Sequence, residues 1–293
     1  MGKSVRLRAF GKTNLSLNIK GRAENGLHEL DSVMMSVDVF DTVTVAERDD
    51  DRIVVRFVNS VVDSENNTAY KAAKAVHDVI GGNGWDIDIE KRIPIGAGLG
   101  GSSADGAAVL RALDLFYRLP QRGVNMRAVA LSVGSDVPFM LTGGLARVSG
   151  TGEELFFIDN KLSLFIVGLM GDEVSTARAY AEFDKLHASF SFCPTDNDEL
   201  CNRLLAGEAS ALRLFGNALN EPAEALCKKI AKNAELLKTF GATVNMTGSG
   251  GMTLGYFTDI QKFAECAKAL GDMDGFLALA PVKTGILHEW INR

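Results

Sequence analysis

The sequence predicts a chain of mixed strands and helices in two domains, and three features carry that expectation. Runs that alternate apolar and polar residues recur in the first half, as strands with one wet face do. A glycine-dense stretch, Pro94-Ile95-Gly96-Ala97-Gly98-Leu99-Gly100-Gly101-Ser102-Ser103-Ala104, then opens an apolar run at helical spacing (Ala108, Leu110, Leu113, Leu115, Phe116) that Pro120 stops. Beyond Gly150-Thr151-Gly152 the pattern changes to a nearly continuous apolar strand, residues 162–170, followed by helical segments. A domain boundary is expected near residue 150, with residues 1–150 carrying the glycine loop and 151–293 forming the second domain.

Val5, Leu7 and Ala9 alternate with polar neighbours, as do Leu15, Leu17 and Ile19, which predicts two strands around a turn at Phe10-Gly11-Lys12-Thr13. On the residues alone, Lys12 is a solvated turn lysine. Asn25-Gly26 signals a further turn. Whether His28 behind it is structural or a ligand contact is left open by spacing. Residues 36–45 and 53–57 read as strands, and Asn66-Asn67-Thr68 precedes an alanine-rich helix through Ile80 that Gly81-Gly82-Asn83-Gly84 ends. Trp85-Asp86-Ile87-Asp88-Ile89 is an alternating strand leading to the glycine loop, with Ser102 or Ser103 expected as N-cap of the next helix. A helix over about 126–132 ends at Gly134-Ser135-Asp136-Val137-Pro138, where an aspartate ordinarily marks a turn or a cap. Residues 145–148 form another strand. Pro194-Thr195-Asp196-Asn197-Asp198 is a polar loop, and Thr247-Gly248-Ser249-Gly250-Gly251 leads into a strand over 252–257.

With 293 residues, 46% of them hydrophobic, the chain can bury a substantial core. A net charge of −6 and a pI near 5.4 argue against a nucleic-acid surface, which needs a clustered basic face. Cys193, Cys201, Cys227 and Cys266 are widely spaced without C-x-x-C, as expected of free thiols in a reducing cytosol. There is no apolar targeting core at the N-terminus and no run of membrane-span length. A cytoplasmic protein, monomer or homodimer, is expected, with neither nucleic acid nor membrane as partner.

Four glycines in the six residues 96–101 free the backbone to take positive φ and to approach a ligand. A helix N-terminus follows, and its unpaired N–H groups and dipole favour an anion, so the loop suits phosphate. Gly96-Ala97-Gly98-Leu99-Gly100-Gly101 satisfies G-x-G-x-x-G, but the preceding strand has a wet face and no acid ends a second strand about twenty residues on. That context argues against a dinucleotide fold. No lysine follows the glycines before a serine, so this is not a P-loop, and the H-R-D and D-F-G elements of protein kinases are missing.

Residues 94–104 instead resemble the second motif of the GHMP kinase superfamily, P-x-x-x-G-L-G-S-S-A, with one extra glycine before Ser102. Ala9-Phe10-Gly11-Lys12-Thr13-Asn14-Leu15-Ser16-Leu17 is similar to the first motif, A-P-A-K-I-N-L-x-L, departing from it at Gly11 and Thr13. Thr247-Gly248-Ser249-Gly250-Gly251 resembles the third, S-G-[ST]-G-[AG]. One branch, the 4-diphosphocytidyl-2-C-methyl-D-erythritol kinases, is resembled more specifically. Gly21-Arg22-Ala23-Glu24-Asn25-Gly26-Leu27-His28-Glu29-Leu30 is similar to its G-R-R-x-D-G-Y-H-E-L, and the run from Gly134 to Leu141 to its G-A-D-V-P-F-F-L. Val174-Ser175-Thr176-Ala177-Arg178-Ala179-Tyr180 is similar to V-S-T-A-x-x-Y, and Gly216-Asn217-Ala218-Leu219-Asn220 is a looser match to N-D-L-E.

That resemblance implies an α+β fold of two GHMP kinase domains, the first like ribosomal protein S5 domain 2 and the second a ferredoxin-like α/β sandwich, with the site in the cleft between them. It implies an ATP- and Mg²⁺-dependent kinase acting on the 2-hydroxyl of the branch's cytidyl acceptor in non-mevalonate isoprenoid biosynthesis. Asp136 would be the base and Lys12 its partner. Pro94, Gly96, Gly98, Leu99, Gly100, Gly101, Ser102, Ser103 and Ala104 would hold ATP. Asn14, His28, Thr176, Tyr180, Thr247, Gly248 and Gly250 would serve the acceptor, with His28 hydrogen-bonding the base and Tyr180 stacking on it. Metal ligands are unassigned. Leu27 stands where the branch has Tyr, which removes one face of an aromatic clamp. Two alternatives stand beside this reading: another superfamily kinase, of homoserine or mevalonate type, and a non-catalytic sensor. Gly26-Leu27-His28-Glu29-Leu30 and Asp136-Val137-Pro138-Phe139 argue against the first, and the joint presence of Lys12 and Asp136 against the second.

Overall fold

The computed structural model describes residues 2–24, 26–58, 67–187 and 189–292; Asn25 of the turn signal and Asn66 before the first helix lie outside them. β1 (Ser4–Arg22) and β2 (His28–Glu47) form a long antiparallel pair. β3 (Ile53–Phe57), α1 (Thr68–Ile80), β4 (Trp85–Glu90), α2 (Gly101–Tyr117), α3 (Met126–Val133), α4 (Val137–Thr142), β5 (Leu145–Gly150) and β6 (Glu154–Phe157) follow. The second half runs β7 (Phe165–Met170), α5 (Thr176–Leu186), α6 (Asn197–Ala206), β8 (Gly216–Asn217), α7 (Asn220–Leu226) and α8 (Lys228–Thr239). It closes with β9 (Thr243–Met246), β10 (Met252–Phe257), α9 (Ile260–Leu270), β11 (Phe276–Leu279) and β12 (Ile286–Asn292). Among the described residues the strands make two sheets. The larger follows the path β12-β1-β2-β4-β3, with β5 and β6 extending from β2 and β8 parallel to β1; the smaller is antiparallel, β11-β7-β10-β9.

β4 is as its alternation dictates: Trp85, Ile87 and Ile89 are buried while Asp86, Asp88 and Glu90 on the other face are half-buried. On α2 the small residues Ala104, Ala107, Ala108 and Ala112 are buried, and α1 packs against this helix with Ala69, Ala72, Ala73 and Val76 buried on its own inner face. The largest apolar cluster continues from Val5 and Leu7 of β1 through both helices to Leu254 and Tyr256 of β10. Among the described residues, no helix is long and apolar enough to cross a membrane.

Residues 10–13 are not a turn. β1 runs through them, with its register against β2 shifting between Phe10 and Gly11. Lys12 donates its N–H to the Leu99 carbonyl at 2.9 Å and is buried, 4% exposed, where the sequence suggested a solvated lysine. The alternation fails because β1 is covered on both faces over residues 9–19. α2 starts with Gly100 as N-cap at φ 73°, so Ser102 and Ser103 lie inside the first turn instead of capping it. The strand expected over 162–170 is confined to β7, and ahead of it the Asn160 side chain occupies both the N–H and the C=O of Leu162. Within the expected polar loop, Asp196 accepts from the Glu199 N–H at 3.1 Å and caps α6.

Candidate active site

A cavity of about 920 Å³ opens between the bulged middle of β1, the glycine loop, the start of α4 and α5. Lys12, Asn14, His28, Asp136, Thr176, Tyr180 and Gly248 line it, together with Pro94, Gly96, Gly98, Leu99, Gly100, Gly101, Ser102 and Ser103. Ala104, Thr247 and Gly250 do not. Ala104 faces the core, and the other two brace the loops from behind.

Lys12 Nζ lies 3.5 Å from Asp136 Oδ2 and donates to Asn14 Oδ1 at 2.8 Å. The same Asn14 oxygen accepts the Gly248 N–H at 2.9 Å, while Asn14 Nδ2 donates to Ser32 Oγ at 2.8 Å. The lysine is thus held by a fully engaged amide, an arrangement that fixes its position. Asp136 occupies the residue before α4, but its side chain caps nothing; it turns to Lys12 and is 29% exposed to the cavity. By position Asp136 is thus a turn and N-cap residue, with its carboxylate free of any capping hydrogen bond.

The glycine loop is seated by the third glycine element. Gly251 N–H donates to Gly96 C=O at 2.8 Å, and Thr247 Oγ1 donates to Gly98 C=O at 3.3 Å. A Cβ on Gly98 would stand 2.1 Å from the Thr247 carbonyl oxygen, and φ is 80° there, so this close approach requires glycine. Asn217, quoted only as part of a loose motif, anchors the same element by donating to the carbonyls of Met246 and Gly248 at 3.0 and 2.9 Å. The first hydrogen bond of α2 is Ala104 N–H to Gly100 C=O at 2.9 Å, which leaves the N–H groups of Gly101, Ser102 and Ser103 ahead of the helical ladder. Donors without intrahelical partners at the positive end of a long helix, on a loop without Cβ atoms, fit a polyphosphate.

At the other end, His28 stacks on Tyr180 with ring centroids 4.6 Å apart, and its Nε2 meets Asp184 Oδ1 at 2.8 Å. Arg22 pairs with the same carboxylate. Burial first, and then the Asp136 charge, push the Tyr180 phenol upward, so it stays a protonated donor. The His28 ring covers one Tyr180 face, and Tyr180, partly buried against the apolar cluster around Val174, Ala179 and Phe183, also lines the cavity. Asp184 carried no motif signal; its spacing from Tyr180, one helical turn, was the only clue. Asp41, Lys91 and Asp105, which form a buried cluster behind the glycine loop, were likewise not singled out by the sequence.

Residues 67–144 match the family described as GHMP kinases N terminal domain. A 4-diphosphocytidyl-2-C-methyl-D-erythritol kinase of Desulfitobacterium hafniense is 36% identical over 258 residues, covering 86% of this chain and 86% of the relative. One from Prosthecochloris aestuarii is 33% identical over 273 residues, covering 90% and 93%. The solved structure of a 4-(cytidine 5'-diphospho)-2C-methyl-D-erythritol kinase is similar at TM-score 0.77 and 28% identity over 94% of this chain and 98% of that one. A homoserine kinase from Cytophaga hutchinsonii, at TM-score 0.68 and 16% identity over 98% of this chain and 97% of that one, shares the fold.

Proposed function

The chain belongs to the 4-diphosphocytidyl-2-C-methyl-D-erythritol kinases of the GHMP superfamily, and from that premise we propose that it phosphorylates the 2-hydroxyl of 4-diphosphocytidyl-2-C-methyl-D-erythritol with ATP. The observation that carries this reading is the Lys12–Asp136 pair, 3.5 Å apart in a cavity with a phosphate-type loop at one end and a His–Tyr stack at the other.

Phosphoryl transfer needs positioning, neutralised charge and a proton acceptor for the attacking hydroxyl. The acceptor oxygen would bond to the γ-phosphorus as the bond from that phosphorus to the β–γ bridging oxygen breaks, releasing ADP. Asp136 would take the hydroxyl proton. Lys12 would stabilise the Asp136 carboxylate and the negative charge at the transferring group. Residues 96–103 would hold the triphosphate through backbone N–H groups and the serine hydroxyls. Mg²⁺ would offset phosphate charge; among the described residues no group of three His, Cys, Asp or Glu gathers to hold a metal, so its ligands would come largely from phosphate and water. The cytidine end would meet Tyr180 beside Leu27, with Thr176 and Ser249, hydrogen-bonded at 2.7 Å, on the rim.

The test is ATP consumption with the cytidyl acceptor, with homoserine and with mevalonate, alongside Asp136→Asn. The cytidyl acceptor alone should be turned over, and the variant should lose about 10²- to 10⁴-fold in kcat with little change in KM for ATP. Turnover of another alcohol would discard the substrate, and ATP binding without turnover would leave a sensor.

A further inference from the structure

We infer that Asp105 takes up a proton when a nucleoside triphosphate binds at residues 94–104, an inference that rests on the ATP reading of that loop. Asp105 lies near the start of α2 and is 2% exposed. Its Oδ2 accepts from Lys91 Nζ at 2.7 Å, and the same ammonium donates to Asp41 Oδ2 at 2.5 Å. Two carboxyl groups share one lysine.

The remaining donors are divided unequally. Asp41 Oδ1 also accepts the N–H groups of Arg92 and Ile93, at 2.6 and 2.8 Å, whereas Asp105 Oδ1 has no partner among the described residues. A buried carboxylate with an unpaired oxygen is costly to keep charged, so Asp105 holds a proton more readily than an ordinary carboxyl. The charged groups that act on Asp105 are Asp41 from β2 and Lys91 from the segment after β4. α1 and α3 bring Thr68 and Val133 beside the adjacent Gly106, and neither titrates. Burial above all, with the Asp41 charge added and Lys91 opposing, pushes the Asp105 carboxyl up to about 7. Although burial works to discharge it, the Lys91 ammonium is kept charged by Asp105 and Asp41.

With both carboxyls ionised, the cluster is a net anion at the base of a loop suited to another anion. Lys91, Gly101 and Asp105 line the same cavity, and Lys91 Nζ is 3.1 Å from where a Cβ on Gly101 would stand. Phosphates on the N–H groups of residues 101–103 therefore add negative charge within about one helical turn of Asp105. That charge strengthens proton binding at Asp105, and by reciprocity the proton strengthens nucleotide binding. The sign is fixed by this linkage. Well below pH 7 Asp105 is already protonated in the free protein and binding moves little proton; between about pH 7 and the raised pKa of the bound protein, the free protein has lost a proton that the bound protein regains.

The test is calorimetric titration of ATP into the full chain at about pH 8, where the terminal phosphate, titrating near 6, is ionised. Two buffers of different ionisation enthalpy count the protons. Wild type should take up a large fraction of one proton per ATP and Asp105→Asn none. Wild-type affinity should also weaken as pH rises from neutrality, by up to about tenfold for each unit that bound nucleotide adds to the Asp105 pKa, and the variant should lose this dependence. Equal proton counts in the two proteins would overturn the inference and leave ATP binding intact; ATP that does not bind would overturn the ATP reading and this inference with it. If Asp105→Asn does not fold, the infrared band of protonated carboxyl is followed in wild type at the same pH. Growth of that band on adding ATP supports the inference, and an unchanged band overturns it.

Discussion

At Lys12 a single side chain changes meaning once its surroundings are fixed. Three polar or glycine residues in a row after Phe10 look like a solvated turn, yet the bulge in β1 buries the ammonium and aims it at Asp136. Burial of a lysine requires partners, and the partners come from Asn14 on the same strand and from the distant Asp136. Neither pairing is visible in local pattern, although the motif that contains Lys12 was legible. Leu27 gives the opposite case, a residue whose chemistry can be judged directly. It is 52% exposed on the cavity rim near the His28–Tyr180 stack. Leu27→Tyr should lower KM for the cytidyl acceptor by about 2- to 10-fold, the worth of an aromatic contact of about 0.5–1.5 kcal/mol, without moving KM for ATP. Steady-state kinetics with each substrate varied in turn will check it, and an unchanged acceptor KM would place the base elsewhere.

Among the elements, the glycine loop and the third glycine element work as one unit. The density of glycine in each was plain in the sequence, but the reason for it was not, since the close approach is between residues about 150 apart: Thr247 Oγ1 to Gly98 C=O at 3.3 Å. Gly98→Ala should cost about 1–3 kcal/mol through its left-handed backbone and the collision with the Thr247 carbonyl. Thermal denaturation should show the loss, and KM for ATP should rise more than KM for the acceptor because the displaced backbone belongs to the loop proposed to hold the nucleotide. Equal effects on the two KM values would mean that the loop serves both ends alike. Helix starts were legible where a side chain caps, as at Asn67, which accepts the Ala69 N–H at 2.7 Å. They were misplaced at α2, because a glycine in left-handed conformation caps without any side-chain signal.

Over the whole molecule, we propose the division near residue 150 as one of sequence and not of separate cores. β6 and β12 lie beyond it yet belong to the larger sheet, and the main apolar cluster joins β1 to β10. Heating should therefore give one cooperative transition, with coincident midpoints by far- and near-ultraviolet circular dichroism; two resolved transitions would contradict a shared core. The sequence by itself determined the mixed strand-and-helix class, most element positions and the three glycine-bearing motifs, because periodicity, caps and turn residues act over a few neighbours. Only the tertiary structure decided that Lys12 meets Asp136, that His28 lies against Tyr180 with Asp184 behind it, and that Asp41, Lys91 and Asp105 form a cluster under the glycine loop. Each of these joins residues distant in sequence, and the energy of a buried charge depends on which partners the fold brings within hydrogen-bonding reach.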